Sequence, residues 1–68
     1  MLDGLRKLVG STIVVDYKTN SGKIVYAKGI LKSIDNDSQM LIVEGKDGTI
    51  WMISKDSISS LKIGGDDP

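Results

Sequence analysis

The chain has 68 residues, in which nine basic and nine acidic side chains cancel and neither cysteine nor histidine occurs. One domain of this length buries only about 60% of its unfolded surface, so its core is thin, and association of several copies would add burial. Without cysteine or histidine, disulfides, thiolate zinc sites and the usual catalytic base are excluded, and zero net charge argues against a strong duplex-DNA binder.

The N-terminal segment, residues 1–9, is predicted to form a short amphipathic helix. Apolar side chains recur in it at i, i+3, i+6 and i+7, as Leu2, Leu5, Leu8 and Val9. This spacing places them on one helical face, and Gly10 is a plausible C-terminal cap. We expect the helix to pack as a lid on one end of the domain.

Five short strands are predicted to follow, at residues 12–17, 23–34, 39–44, 49–54 and 58–63. Each is rich in β-branched or apolar residues, and polar turn sequences containing Asn, Asp, Ser or Gly separate the first four. The second strand is long and contains Gly29, which indicates a bulge, a bend or the close approach of another backbone.

The sequence therefore predicts a mostly β domain at residues 1–63. Its fold is a short N-terminal helix followed by a five-stranded, strongly bent antiparallel small barrel. Residues 64–68 are predicted to be a flexible acidic tail. No signal peptide or membrane span is evident, because no apolar run approaches the ~20 residues that a spanning helix needs, and a cytoplasmic location is expected.

Few side chains suggest chemistry. Asp35 and Asp37 share one turn, where aspartate normally bonds to local backbone amides, so we interpret them as turn residues rather than as a catalytic pair. Lys23, Lys28 and Lys32 are best explained as solvated lysines. Trp51 fits the core or a subunit interface better than a base-stacking platform. No enzyme activity, cofactor, metal or small-molecule substrate is predicted.

Two stretches resemble the motifs of the Sm and Sm-like family. Residues 29–35, GILKSID, resemble the Gly-x-Leu-x-x-x-Asp core of the first Sm motif, and Met40 begins an apolar run like the strand after it. Residues 55–61, KDSISSL, are similar to the second motif of the Hfq branch, where a Lys-His pair precedes a hydrophobic-Ser-x-hydrophobic strand. The resemblance covers residues 5–63.

The resemblance implies a homo-oligomeric ring of six or seven subunits, joined between the fourth and fifth strands, that binds U- or A-rich single-stranded RNA. Each subunit would supply one shallow base pocket, and affinity would accumulate around the ring. In the family the pocket comes from the turn between the second and third strands and the turn before the fifth. These positions correspond here to Asp35, Asp37, Gln39, Leu41, Lys55 and Asp56.

Within this pocket, Gln39 would bond a base edge, Lys55 would meet a phosphate or carbonyl oxygen, and Asp35 or Asp37 would orient the turn. The chain departs from the family at several of these positions. Leu41 stands where the family has a base-reading asparagine, Gln39 where it has a stacking aromatic or histidine, and Asp56 beside Lys55 where it has glycine or histidine.

Two other interpretations stay open. One is a small barrel used only for protein–protein contact, similar to a PRC-barrel or Src-homology domain. Residues 8–10 leading into residues 13–16 also resemble the start of a PRC-barrel chain. The other is a ring that has kept its assembly and lost its RNA site. The oligomeric state separates the contact module from the rings.

Overall fold

The computed structural model describes residues 3–64 of the chain, and of Asp3 the backbone alone. Leu2 of the predicted helix and residues 65–68 of the predicted acidic tail lie outside the described residues. Among residues 3–64, no helix is both long and apolar enough to cross a bilayer.

The predicted short N-terminal helix is a 3₁₀ helix, Asp3–Leu8, and not an α-helix. Hydrogen bonds between residues three apart continue past its end, since Val9 N–H donates to the Arg6 carbonyl at 3.2 Å and Ser11 N–H to that of Leu8 at 2.8 Å. Six residues that include a glycine are too few to nucleate a stable α-helix without strong tertiary support. Leu5 and Leu8 still pack against the core from this segment.

Five antiparallel strands follow, as predicted, and form one sheet of order β4-β3-β2-β1-β5. Their bounds are β1 Thr12–Lys18, β2 Ile24–Asp35, β3 Met40–Glu44, β4 Ile50–Ser54 and β5 Ile58–Ile63, with a 3₁₀ turn, Lys55–Ser57, between β4 and β5. The sheet of a single chain is open and curled, and β4 and β5 form its two edges. Closure into a barrel therefore remains a prediction.

Two features of β2 curl the sheet. At Gly29 a side chain would overlap the backbone of Glu44, since a Cβ there would lie 2.7 Å from the Glu44 carbonyl carbon and closer still to its oxygen. The pairing of β2 with β3 also shifts register between Leu31 and Ser33, and a bulge of this kind bends a strand and increases its twist. The irregularity predicted at Gly29 is thus a close backbone approach, and the register shift comes slightly later.

The core lies on the concave side of this curl. Alternate residues of the strands point inward, which follows from the period of two along a strand. Within the part of the chain that the structure describes, the buried apolar residues are Ile13, Val15, Ala27, Leu31, Leu41, Val43 and Ile53. This core fixes the direction of β2 and β3, and with it the position of the turn that joins them.

Candidate functional site

The turn between β2 and β3 is built by the side chain of Asp35. Its Oδ1 accepts hydrogen bonds from the backbone N–H groups of Asp37, at 3.1 Å, and Ser38, at 3.5 Å. An aspartate that bonds amides two and three residues ahead is a common way to close a polar turn. Asp35 therefore shapes the turn, in agreement with the orienting role that the family resemblance assigns to an aspartate here.

These hydrogen bonds favour the ionised form of Asp35. Donation from the Ser38 side chain, followed by the backbone amides of Ser38 and Asp37, lowers the pKa of Asp35. A carboxylate whose pKa is lower in the folded chain stabilises the fold above its ordinary pKa. That contribution is lost as the pH falls through the folded pKa.

We therefore predict that acid weakens the turn through Asp35. The wild type should lose stability on acidification below about pH 4, the ordinary range of aspartate. Asp35→Asn keeps an amide oxygen as acceptor but has no charge, so its stability should fall less between about pH 6 and about pH 3. Urea unfolding followed by the fluorescence of Trp51, the one tryptophan, measures both proteins. Equal acid dependence in the two would contradict the assignment.

Gln39 has an unusual backbone conformation for its residue type. Its φ is +58°, and it is the one non-glycine residue among residues 3–64 with a positive φ. The two other hairpin turns place glycine in this left-handed region, at Gly22 and Gly48. A side chain in that region costs roughly 1 kcal/mol, and strain of this kind concentrates at functional positions. Gln39 is held there by its own amide, because Nε2 donates to the Asn36 carbonyl at 2.7 Å.

The turn before β5 lies directly against Gln39. The backbone N–H of Lys55 donates to the Gln39 carbonyl at 2.8 Å. The Ser54 side chain accepts from Asp56 N–H at 3.3 Å and caps the short 3₁₀ turn Lys55–Ser57. The structure thus brings together two segments that are sixteen positions apart in the sequence and that the resemblance assigns to one pocket.

The charges around this junction are mostly negative. Asp35, Asp37 and Asp56 are exposed, and Lys55 is half-buried. The Lys55 ammonium lies 3.9 Å from the Asp56 carboxylate, which is 90% exposed. An ion pair this long and this accessible to water holds the lysine only loosely. Lys55 can therefore turn toward an anionic ligand, while the aspartates limit how strongly a polyanion is attracted.

Leu41 is located differently from the other predicted site residues. Its side chain is fully buried and belongs to the core cluster, whereas Asp35, Asp37, Gln39, Lys55 and Asp56 all reach the surface. The alternation along β3 explains this, because Met40 and Leu41 must point to opposite faces of the sheet. In this conformation Leu41 supports the site from below and offers no surface to a ligand.

Trp51 lies away from this junction, at the start of β4. Its ring covers Gly45, where a Cβ would lie 2.9 Å from ring atom Cζ3, and it packs against the core while remaining half-buried. This placement agrees with the core interpretation of Trp51 and not with a free stacking platform.

No group of three or more metal-ligating side chains is close enough to hold a metal ion among the described residues. Comparison with protein-family models, with curated proteins and with solved structures finds no significant match to this chain. Its function must therefore be inferred from the residues and their geometry.

The strain at Gln39 leads to a paired prediction. Gln39→Gly should relieve the left-handed backbone and raise the free energy of unfolding by about 0.5–1 kcal/mol, which is roughly 2–8 °C in a domain of this size. Gly22→Gln places a side chain on a backbone that is already left-handed, at a position where the new Cβ would meet nothing within 4 Å. The substitution should therefore lower the free energy of unfolding by about 1 kcal/mol through backbone strain alone. Thermal unfolding measures both. Destabilisation by Gln39→Gly would mean that the side-chain bond to Asn36 outweighs the strain.

Proposed function

We propose that the chain is an Sm-like RNA-binding subunit that closes into a small barrel, assembles into a homo-oligomeric ring and binds U- or A-rich single-stranded RNA. It acts as a binding module without catalysis. Each subunit supplies one base pocket at the junction of the β2–β3 turn with Lys55–Ser57. Gln39 bonds a base edge, Lys55 meets a phosphate or carbonyl oxygen, and Asp35 shapes the turn.

The observation that carries the proposal is the hydrogen bond from Lys55 N–H to the Gln39 carbonyl. It joins the two segments whose sequences resemble the two Sm motifs, at a junction where Gln39 adopts a costly backbone conformation. A strained polar residue on a surface turn, next to a lysine that is only loosely paired, is a suitable arrangement for binding a polar ligand.

The sheet order supports the ring. Strands β4 and β5 are both edges, so each presents unpaired backbone groups that another strand can use. Large apolar side chains on these edges are exposed, with Ile50 at 53%, Met52 at 64% and Ile63 at 61%. Pairing of β4 with β5 of the next copy would satisfy the backbone and cover these side chains. Repetition of that contact closes a ring.

Two measurements test the proposal. Light scattering should give the mass of a hexamer or heptamer. Fluorescence anisotropy should show binding of oligo-U or oligo-A at low salt, weakened about tenfold or more by Lys55→Ala because the loss is repeated in every subunit. Lys23→Ala, at the exposed β1–β2 turn, is the matched control and should bind nearly as the wild type does. If the protein forms a ring but does not bind the oligonucleotides, the proposed RNA site is wrong and the proposed assembly stands.

The second candidate is a protein–protein contact module resembling a PRC-barrel domain. The observation that favours it is the charge at the candidate site, where three exposed aspartates accompany one lysine. Such a site repels phosphates, and the exposed apolar side chains of β4 would then bind a different protein. A monomer or dimer by light scattering, together with no oligonucleotide binding, supports this candidate against the ring.

A further inference from the structure

We propose that the first half of β2 binds an extended acidic peptide of another protein, which joins the sheet as an additional strand. The binding surface consists of residues 24–27, the open edge of β2, and a cleft at the end of this edge. It is distinct from the candidate RNA site and does not depend on it. In this mode of binding, main-chain hydrogen bonds provide affinity and side-chain contacts provide specificity.

The open edge exists because β2 extends past its neighbour β3. Strand β2 pairs with β1 from Ile24 to Ile30, whereas its pairing with β3 starts only at Ile30, opposite Glu44. Among residues 3–64, no strand therefore lies beside residues 24–27 on the side away from β1. A strand edge of this kind presents backbone donors and acceptors that another chain can use.

The backbone groups that face outward on this edge are those of Ile24 and Tyr26. Successive residues of a strand direct their N–H and C=O groups to opposite sides. Leu31 faces β1, because its N–H donates to the Ser11 carbonyl at 3.0 Å. The register between Ile24 and Ile30 has no shift, so the even-numbered residues face away from β1. The side chains of Ile24 and Tyr26 are 55% and 67% exposed, which leaves room for a neighbouring strand.

A cleft of about 390 Å³ opens at the end of the open edge. The β3–β4 turn leaves the sheet at Gly45, directly beside Gly29, and both glycines line the cleft together with Ile30. Its surface is mainly apolar. An aliphatic side chain near the end of an added strand therefore finds a place to be buried there.

Lysines lie at both ends of the open edge. Lys23 directly precedes β2, and Lys46 belongs to the cleft lining at the other end. Both side chains are exposed, and neither ammonium forms an ion pair within residues 3–64. From Lys23 to Gly29 an extended strand covers roughly 20 Å. An added strand with a carboxylate at each end therefore meets a positive charge at each.

These charges favour an acidic peptide over a second copy of the chain. The nearby carboxylates are engaged, since Glu44 pairs with Lys32 at 3.5 Å and Asp47 accepts from a backbone amide of its own turn at 3.0 Å. Two copies joined antiparallel through residues 24–27 would place Lys23 of each near Lys46 of the other. Like charges in such a contact are unfavourable, whereas a peptide with terminal carboxylates pairs with both lysines.

Amide hydrogen exchange tests the proposal with a defined peptide. The probe is the blocked heptapeptide Glu-Thr-Val-Thr-Val-Thr-Glu, whose valines would pack beside Tyr26. When it binds, exchange should slow several-fold at the amides of Ile24 and Tyr26. The amides of Val25 and Ala27, which face β1, should change little. This alternation distinguishes strand addition on the open edge from a general gain in stability.

Two comparisons separate the contribution of charge from that of the backbone. In an NMR titration, Lys23→Gln/Lys46→Gln should weaken binding about three- to tenfold. Lys7→Gln/Lys62→Gln removes the same charge from exposed positions away from this edge and should leave the affinity unchanged. The same peptide N-methylated at both valines cannot donate to the open edge and should lose detectable binding.

Four results would overturn the proposal. Slower exchange confined to β4 or β5 would place the peptide on another edge, and equal binding of the N-methylated peptide would mean that no strand is added. Slower exchange at Tyr26 on raising the protein concentration alone would assign the edge to a second copy, and the same effect of oligo-U would assign it to nucleic acid. Lys55→Ala should bind the peptide as the wild type does, so failure of the RNA site and failure of this proposal are distinguishable.

Discussion

Replacement of Gly29 by alanine is expected to cost about 3–5 kcal/mol and to leave much of the chain unfolded at room temperature. The physical reason is the close approach of Glu44, because a Cβ at Gly29 would overlap its carbonyl group and backbone atoms cannot move aside as a side chain can. A domain of this length has roughly 3–10 kcal/mol of total stability, so the substitution removes a large part of it. Urea unfolding monitored by Trp51 fluorescence provides the measurement.

Gly4→Ala is the matched control for this prediction. Gly4 lies in the N-terminal 3₁₀ helix, its φ is not positive, and a Cβ added to it would meet no atom within 4 Å. Alanine there should leave stability within about 1 kcal/mol of the wild type or raise it slightly. A Gly29→Ala protein as stable as Gly4→Ala would show that the strands can separate at this point without cost.

The second large effect is expected at Leu41. Leu41→Asn installs the residue that the Sm-like family carries at this position, but the side chain is fully buried. The substitution removes apolar burial and leaves an amide without partners, which together should cost about 4 kcal/mol or more. Circular dichroism and urea unfolding should show a largely unfolded or strongly destabilised protein, whether or not RNA is present.

Leu41→Met separates packing from polarity in this experiment. Methionine has nearly the volume of leucine and adapts its shape, so the cost should stay below about 1.5 kcal/mol. If Leu41→Asn instead folded as well as Leu41→Met and bound oligo-U more tightly than the wild type, residue 41 would face the ligand. The assignment of Leu41 to the core would then be wrong.

The strands were predictable because their signals are local. Alternating or continuous apolar residues, interrupted by Asn, Asp and Gly turns, locate all five strands to within one residue at every end. The N-terminal helix was misjudged because the apolar spacing of residues 2–9 suits both α and 3₁₀ geometry. Its length and Gly4 decide between them, and tertiary contacts rather than intrinsic preference hold so short a segment.

The sequence could indicate which residues belong to the candidate site but not how those residues are arranged. The motifs placed Gln39 and Lys55 in one pocket, but the hydrogen bond between their backbones depends on the β3–β4 pairing register, which joins Met40 to Ser54. The left-handed conformation of Gln39 had a signal that sequence reasoning passed over. The other two hairpin turns have glycine at their left-handed position, and this one has glutamine.

Leu41 shows why a motif position does not fix a role. The resemblance aligns it with a base-reading asparagine, yet strict alternation along β3 turns it into the core once Met40 faces outward. The same alternation was readable from the sequence, since Leu41 and Val43 are spaced by two within an apolar run. The sequence does not show which face of β3 lies on the concave side of the sheet, because that depends on the curl of the sheet at Gly29.

The sheet order also bears on how quickly the chain folds. Strands β1 to β4 pair in succession through short hairpins, whereas β5 must return across the molecule to join Ile63 to Ile13. Non-local pairing of this kind tends to slow folding, because the entropy of closing the loop is lost before the β1–β5 contacts compensate for it. The Ser60 hydroxyl donates to the Asp16 carboxylate at 2.9 Å between these two strands. Removal of this bond by Ser60→Ala, followed in folding and unfolding rates, would therefore show whether β5 has joined β1 in the transition state.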